Sequence, residues 1–239
     1  MNSRKASHRG IARPALLAVL LVAAGGTAGR EAAAAAQALP GASAAPGCGT
    51  QANVVLRAGK DRTAPPPLAF PAKGKPLLDP VHGTCLVRVT DSATEAGGHD
   101  FIRSDYSRRQ AFNADSSLIL VYSYGGDWHV YGSGPEAPFI RTLKGVRGDA
   151  EPQWHATDPD LLYHVPNNGG LELRELNVRT GAARKVGDFG GRLPWKQTAR
   201  VWTKSEGSPS ADGRYWCFMA ETRDFDNLGI FTWDLQTDT

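Results

Sequence analysis

Beyond Pro76 one pattern of polar and apolar positions recurs three times along the chain. In the first copy Gln110-Ala111-Phe112-Asn113-Ala114-Asp115-Ser116-Ser117 leads into an apolar run over 118–124, then Gly125-Gly126-Asp127, then Trp128-His129-Val130-Tyr131. In the second, Glu151-Pro152-Gln153-Trp154-His155-Ala156-Thr157-Asp158 leads into 161–165, then Asn167-Asn168-Gly169-Gly170, then 171–178. In the third, Gly207-Ser208-Pro209-Ser210-Ala211-Asp212-Gly213 leads into 215–220 and, later, 230–235. Each copy reads as a strand, a tight Asp-containing turn, an apolar strand, a polar turn and a third strand. In the run 215–220, Tyr215, Cys217 and Met219 point one way while Trp216, Phe218 and Ala220 point the other. Such a strand needs cover on both faces, as when a blade packs between two neighbours. On this reading Cys217 is a small buried hydrophobe.

Asp115, Asp158 and Asp212 occupy equivalent places, 43 and 54 residues apart. The first interval is close to the ~40–45 residues of a four-stranded propeller blade. The second accommodates an insertion over 187–203. A fourth strand follows in the first two copies, over 139–143 and 183–186, and none follows the third. The expected fold is therefore all-β: a partial β-propeller of about three four-stranded blades, about 105–143, 149–187 and 204–239, truncated before ring closure, since closed rings take ~4–8 blades. Upstream, Cys85-Leu86-Val87-Arg88-Val89-Thr90-Asp91 reads as an orphan outer strand of the kind that pairs with a last blade. An antiparallel sandwich with regular strand spacing is the alternative, but it leaves the threefold Asp register unexplained.

The amino terminus changes the picture of where this body resides. Arg4 to Arg13 are basic, residues 15–24 are apolar, and small residues follow, the three parts of a secretory signal. The expected organisation is a signal peptide over 1–36, an Ala/Pro/Gly-rich linker over 37–76 and the propeller body over 77–239, with a periplasmic or secreted location. The apolar run is shorter than the roughly 20 residues of a spanning helix, so no membrane span is expected after cleavage. The formal charge of +3 falls further once that basic leader is removed, which gives a nucleic-acid partner no support. In an oxidising compartment Cys48 and Cys85 can pair. No two cysteines have metal-site spacing.

The stretch Glu151-Pro152-Gln153-Trp154-His155 with Asp158, and Ser208-Pro209-Ser210-Ala211-Asp212-Gly213-Arg214, resemble the TolB-like (WD40-like) propeller repeat. The first copy departs from it, lacking the Pro and the Gly: Phe112-Asn113-Ala114-Asp115-Ser116. The order of Gly83-Thr84, Arg88-Val89-Thr90-Asp91, Tyr106-Ser107-Arg108-Arg109-Gln110 and Pro152-Gln153-Trp154-His155 with Asp158-Pro159 is similar to the amino-terminal blades of oligogalacturonate-lyase-like propellers. That similarity implies elimination across a uronic-acid glycosidic bond, assisted by a divalent metal that binds the carboxylate. The family's metal ligands lie mostly in later blades and are not carried onto this chain. Two other readings follow from the TolB-like repeat: a non-catalytic protein-interaction propeller, or the propeller of a prolyl-oligopeptidase-like peptidase without its hydrolase domain. The second needs a Gly-x-Ser-x-Gly elbow, whose spacing Gly207-Ser208-Pro209-Ser210-Ala211 does not have.

Candidate site residues are those just before each Asp turn, expected on or beside the innermost strand: Arg108, Arg109 and Gln110; Glu151, Gln153 and His155; Lys204 and Glu206. Arg108 or Arg109 can grip a carboxylate bidentately, which would hold an anionic oligosaccharide. Equally, these groups can satisfy one another around a solvated channel. His99, in a polar loop with Asp100, Asp105 and Tyr106, and His155 are the candidate metal ligands or bases. His129 and His164 sit within strand patterns and read as structural. Trp195 and Trp202 offer either an aromatic platform for a sugar ring or a cap on the core.

Overall fold

The computed structural model describes residues 59–60, 64, 67–204, 207 and 209–239, in which every regular element is a β-strand. The signal peptide, most of the linker, Cys48 and Glu206 lie outside the described residues. Among the described residues no helix is long and apolar enough to cross a membrane.

A hairpin comes first: β1 (Pro76–Leu78) pairs with β2 (Cys85–Val87). The segment read as an orphan outer strand is thus paired locally, through the turn in which Asp79 Oδ1 accepts Val81 N–H at 2.8 Å. Cys85 is disulfide-bonded.

Three antiparallel meanders follow, all of them propeller blades. Blade one is β3 (Ile102–Arg103), β4 (Leu118–Ser123), β5 (Asp127–Gly132) and β6 (Phe139–Arg147), hydrogen-bonded in that order. Blade two is β7 (Gln153–Trp154), β8 (Leu161–His164), β9 (Glu172–Asn177) and β10 (Ala183–Asp188). Blade three is β11 (Arg200–Trp202), β12 (Tyr215–Glu221) and β13 (Asn227–Asp234). After β13 the chain repeats the turn that joins β9 to β10. Asn177 N–H donates to Ala182 O at 2.8 Å, and Asp234 N–H donates to Thr239 O at 2.8 Å.

The Asp register is built as three equivalent turns. Asp115 Oδ1 accepts Ser117 N–H, Asp158 Oδ1 accepts Asp160 N–H and Asp212 Oδ1 accepts Arg214 N–H, at 3.0, 2.9 and 3.1 Å. This is the local bond by which Asp favours a turn. Just upstream, the backbone N–H groups of Asn113, His155 and Ser210 donate to the carbonyls of Leu118, Leu161 and Tyr215.

In blade two the innermost strand β7 lies where the sequence pattern placed it, but in blades one and three the innermost strand sits earlier. In blade one β3 pairs with the end of β4, Ile102 opposite Ser123, while residues 111–113 bond its beginning through the Phe112–Ile119 bridge. The loop between carries Arg108 and Arg109. In blade three β11 comes from the end of the supposed insertion over 187–203, with Val201 opposite Ala220. These inner pieces are two or three residues long, too short to show a period of two.

Apolar faces of adjacent blades close on one another. Leu118, Leu120 and Trp128 of blade one pack with Trp154, Leu162 and Leu176 of blade two. Tyr163, Leu173 and Phe189 of blade two pack with Trp216, Phe218 and Trp233 of blade three. On the far face of blade one, Ile119, Val121 and Tyr131 are covered by Val89 and Ala96. The face of blade three equivalent to the Leu118 and Leu120 face of blade one differs: Tyr215 is 49% exposed and Cys217, a free thiol, is exposed too. Cys217 is therefore not the buried hydrophobe its pattern implied, because no described element packs on its side of β12.

Candidate functional site

The three Asp turns converge, and the concavity between them is the candidate site. It encloses about 500 Å³ and is lined from blade one by Arg109, Gln110, Phe112 and Ser116, from blade two by Gln153, Trp154 and His155, and from blade three by Pro209 and Ser210. Hydrogen bonds between blades fix its shape. Trp154 Nε1–H donates to Ala111 O at 3.0 Å, Asn113 Nδ2–H donates to Pro159 O at 2.9 Å, and Gln153 Nε2–H donates to Gly207 O at 2.9 Å.

Of the residues singled out by sequence, Arg109, Gln110, Gln153 and His155 meet in this concavity. Arg108 is exposed and is not part of its lining. Glu151 lies behind it, with its side chain 2% exposed and its backbone at φ 50°, in the left-handed region. The Glu151 Oε2 atom accepts Thr203 N–H at 2.6 Å and the Thr203 hydroxyl at 2.9 Å, joining blade two to blade three. Arg109 donates to Asp105 Oδ2 at 2.7 Å, and its Nη2 lies 4.0 Å from Glu151 Oε1. Two carboxylates thus already offset this guanidinium. It is not the open bidentate grip expected for an anionic ligand, because the same loop that presents Arg109 also supplies Asp105, its counter-charge.

His155 braces its turn. Its Nδ1 accepts Thr157 N–H at 3.2 Å and Asp158 N–H at 2.9 Å, and its ring lies 5.6 Å from that of Tyr163. A nitrogen that accepts from amides carries no proton, so the neutral ring bears its hydrogen on Nε2. His99 lies elsewhere, on the blade-one side that includes His129, with ring centroids 5.6 Å apart, and its Nε2 bonds Ala96 O at 2.9 Å. Among the described residues no three His, Cys, Asp or Glu side chains are grouped so as to hold a metal ion. His99 and His155 belong to no such group, so the described residues do not fit the divalent metal that the sequence resemblance implies.

The remaining candidates lie outside the concavity. Lys204 pairs with Glu221 at 3.2 Å and lies 3.9 Å over the Trp202 ring. Trp202 is 4% exposed within the core, and Trp195 packs at the edge of the same cluster. His129 is buried with both ring nitrogens engaged, by Thr142 at 2.9 Å and Ser123 at 2.8 Å, and burial holds its pKa below the ordinary imidazole value. Burial does the same to His164. The sequence pattern did not single out Phe112, Ser116 and Ser210 as site residues. Phe112 and Ser210 stand at or beside the repeated turn position that His155 occupies in blade two, and Ser116 directly follows the turn Asp115.

Three antiparallel blades whose inner turns surround a common concavity are part of a β-propeller. No family model and no curated protein matches the sequence. Among solved structures, oligogalacturonate lyase from Vibrio parahaemolyticus is similar with a TM-score of 0.46 at 14% identity, over 70% of this chain and 47% of that one. Sqt1 from Saccharomyces cerevisiae gives a TM-score of 0.30 at 12% identity, over 54% of this chain and 32% of that one. The chain therefore spans about half the length of the first and about a third of the second. Likenesses this distant say nothing about activity.

Proposed function

We propose that this protein is an exported, TolB-like propeller that binds carbohydrate in the concavity between its three Asp turns. The observation that carries this reading is the chemistry of the lining. Phe112, 43% exposed, stands beside neutral groups with hydrogen-bonding capacity left over: Gln110 Nε2, Gln153 Oε1 and His155 Nε2–H, none of which is bonded among the described residues. A sugar ring presents an apolar C–H face to an aromatic ring and hydroxyls that both donate and accept. The volume falls within the ~300–1,000 Å³ range of small-molecule sites.

Uronate oligosaccharides are the first ligands to test, because the sequence resembles oligogalacturonate-lyase-like propellers. The offset charge of Arg109 means that a ligand carboxylate is not the main handle. Titration calorimetry with trigalacturonate and with a neutral galactose trimer is expected to give dissociation constants within about tenfold of each other, a gap of ~1.4 kcal/mol. Phe112→Ala is expected to weaken both about fivefold, from the ~0.5–1.5 kcal/mol of a lost stacking contact. Absence of binding by either sugar to the unaltered protein contradicts the proposal.

A further inference from the structure

A second concavity lies on the rim, where blade one meets blade two. It encloses about 430 Å³ between residues 140–144 of β6 and residues 176–178 and 180–181, the end of β9 and the turn that follows it. Side chains of a strand alternate between its two faces, so five consecutive residues in one wall mean that the groove runs along the edge of β6. Among the described residues β6 is the end strand of its sheet, hydrogen-bonded on one side alone. Leu143, Leu176 and Val178 are buried beneath the groove, and Ile140 is exposed beside it. Arg141 and Lys144 also line it, and among the described residues neither has an ion pair or a side-chain hydrogen bond.

The interface between blades two and three shows what such an arginine meets. The turns after β9 and β13 are built alike: Gly181 N–H donates to Asn177 O and Asp238 N–H donates to Asp234 O, each at 2.8 Å. Both residues are left-handed, with φ 80° and 56°, so Gly181 and Asp238 hold the same place. Asp238 Oδ1 accepts Arg192 Nη1–H at 2.6 Å, from the segment that follows the outer strand of blade two. One interface earlier, Arg141 comes from the outer strand of blade one, and its Nη1 lies 4.0 Å from where a Cβ on Gly181 would stand. The arginine is repeated there, and the turn has no side chain to meet it.

We infer that this groove binds an extended acidic segment of another protein, laid along β6 with one carboxylate on Arg141 and a second on Lys144. Addition to an edge strand supplies backbone hydrogen bonds, and alternate side chains of the segment supply specificity, apolar ones toward Ile140. The amino-terminal part of this chain does not match that chemistry: residues 1–58 carry one carboxylate, Glu31, against six Lys and Arg. Neighbouring carboxylates of blade two do not compete, because Asp160 is paired with Arg179 and Glu175 with Arg184. Both walls belong to blades packed on each other, so the groove stays on the rim whatever lies beyond Thr239. It shares no lining residue with the concavity between the Asp turns.

The test is fluorescence anisotropy with the full chain titrated to about 1 mM into a labelled peptide of about seven residues that alternates glutamate and valine, beside its glutamine–valine counterpart. The acidic peptide is expected to bind with a dissociation constant on the order of 100 μM, and the neutral one about tenfold more weakly, since it lacks both charged contacts. Arg141→Gln and Lys144→Gln are each expected to weaken the acidic peptide about threefold, the loss of one partly exposed ion pair. Gly181→Asp places a carboxylate where Asp238 stands in the next interface and is expected to weaken the peptide by about as much. Gly181→Asn carries the same backbone strain without the charge and is expected to leave binding unchanged. Unchanged tryptophan fluorescence shows that each variant is folded. No binding of the acidic peptide, equal binding of the two peptides, or an affinity that Arg141→Gln and Lys144→Gln both leave intact overturns the inference. So does displacement of the acidic peptide by an equal concentration of a single capped glutamate, which would mark a site for small carboxylates.

Discussion

Two buried histidines tie stability to pH. His129 and His164 are both held neutral chiefly by burial, so their folded pKa values lie below the ordinary value of 6.5. Near neutral pH neither state is charged, and their contribution is fully present. As pH falls below about 6.5 the unfolded chain takes up protons that the folded one refuses, and stability drops by up to ~1.4 kcal/mol per pH unit for each histidine until its folded pKa is reached. Denaturant titrations between pH 7.5 and 5 are expected to show this loss, and His129→Gln is expected to remove about half of the slope. A stability that is flat across that range contradicts the burial argument. The structural role of these two residues was legible in the sequence, since each lies within a strand pattern beside a tyrosine. The pairing of Arg109 with Asp105 was not. It depends on a loop that folds back over four residues, and an exposed polar loop carries no periodic signal.

At the scale of elements the turns and β7 were readable and the inner strands β3 and β11 were not. Each turn is held by one side-chain bond with fixed local spacing, from Asp to the amide two residues on, so the chain itself displays it. β3 and β11 are held only by partners far along the chain, and their residues give no local sign of it. Turn chemistry also explains how the first copy manages without its glycine. Ser116 follows Asp115 with φ 60°, in the left-handed region, where Gly213 follows Asp212 with φ 76°. A side chain there is strained, so Ser116→Gly is expected to stabilise the protein by about 0.5–1 kcal/mol. Gly213→Ala is expected to cost about 1–2 kcal/mol from the same strain, with the Ala156 methyl 3.2 Å from the added carbon. Urea unfolding midpoints measure both changes. A destabilising Ser116→Gly would show that the serine's own contacts outweigh its backbone strain.

At the scale of the whole molecule, blades stack as nearest neighbours, and what they share is both core and pocket. The apolar strands were legible because β4 and β8 alternate side chains that are buried on both faces. The pocket as a joint property of three blades was not, because Trp154 to Ala111, Asn113 to Pro159 and Gln153 to Gly207 each span more than 40 residues. Those bonds make the three turns one rigid wall, and a ligand in the concavity must report on all of them together. The decisive measurement is a titration of ¹⁵N-labelled protein with trigalacturonate, followed amide by amide. Residues 110–116, 153–156 and 209–211 are expected to shift together and saturate with a single dissociation constant. Shifts confined to one blade, or to a surface away from these turns, would contradict it.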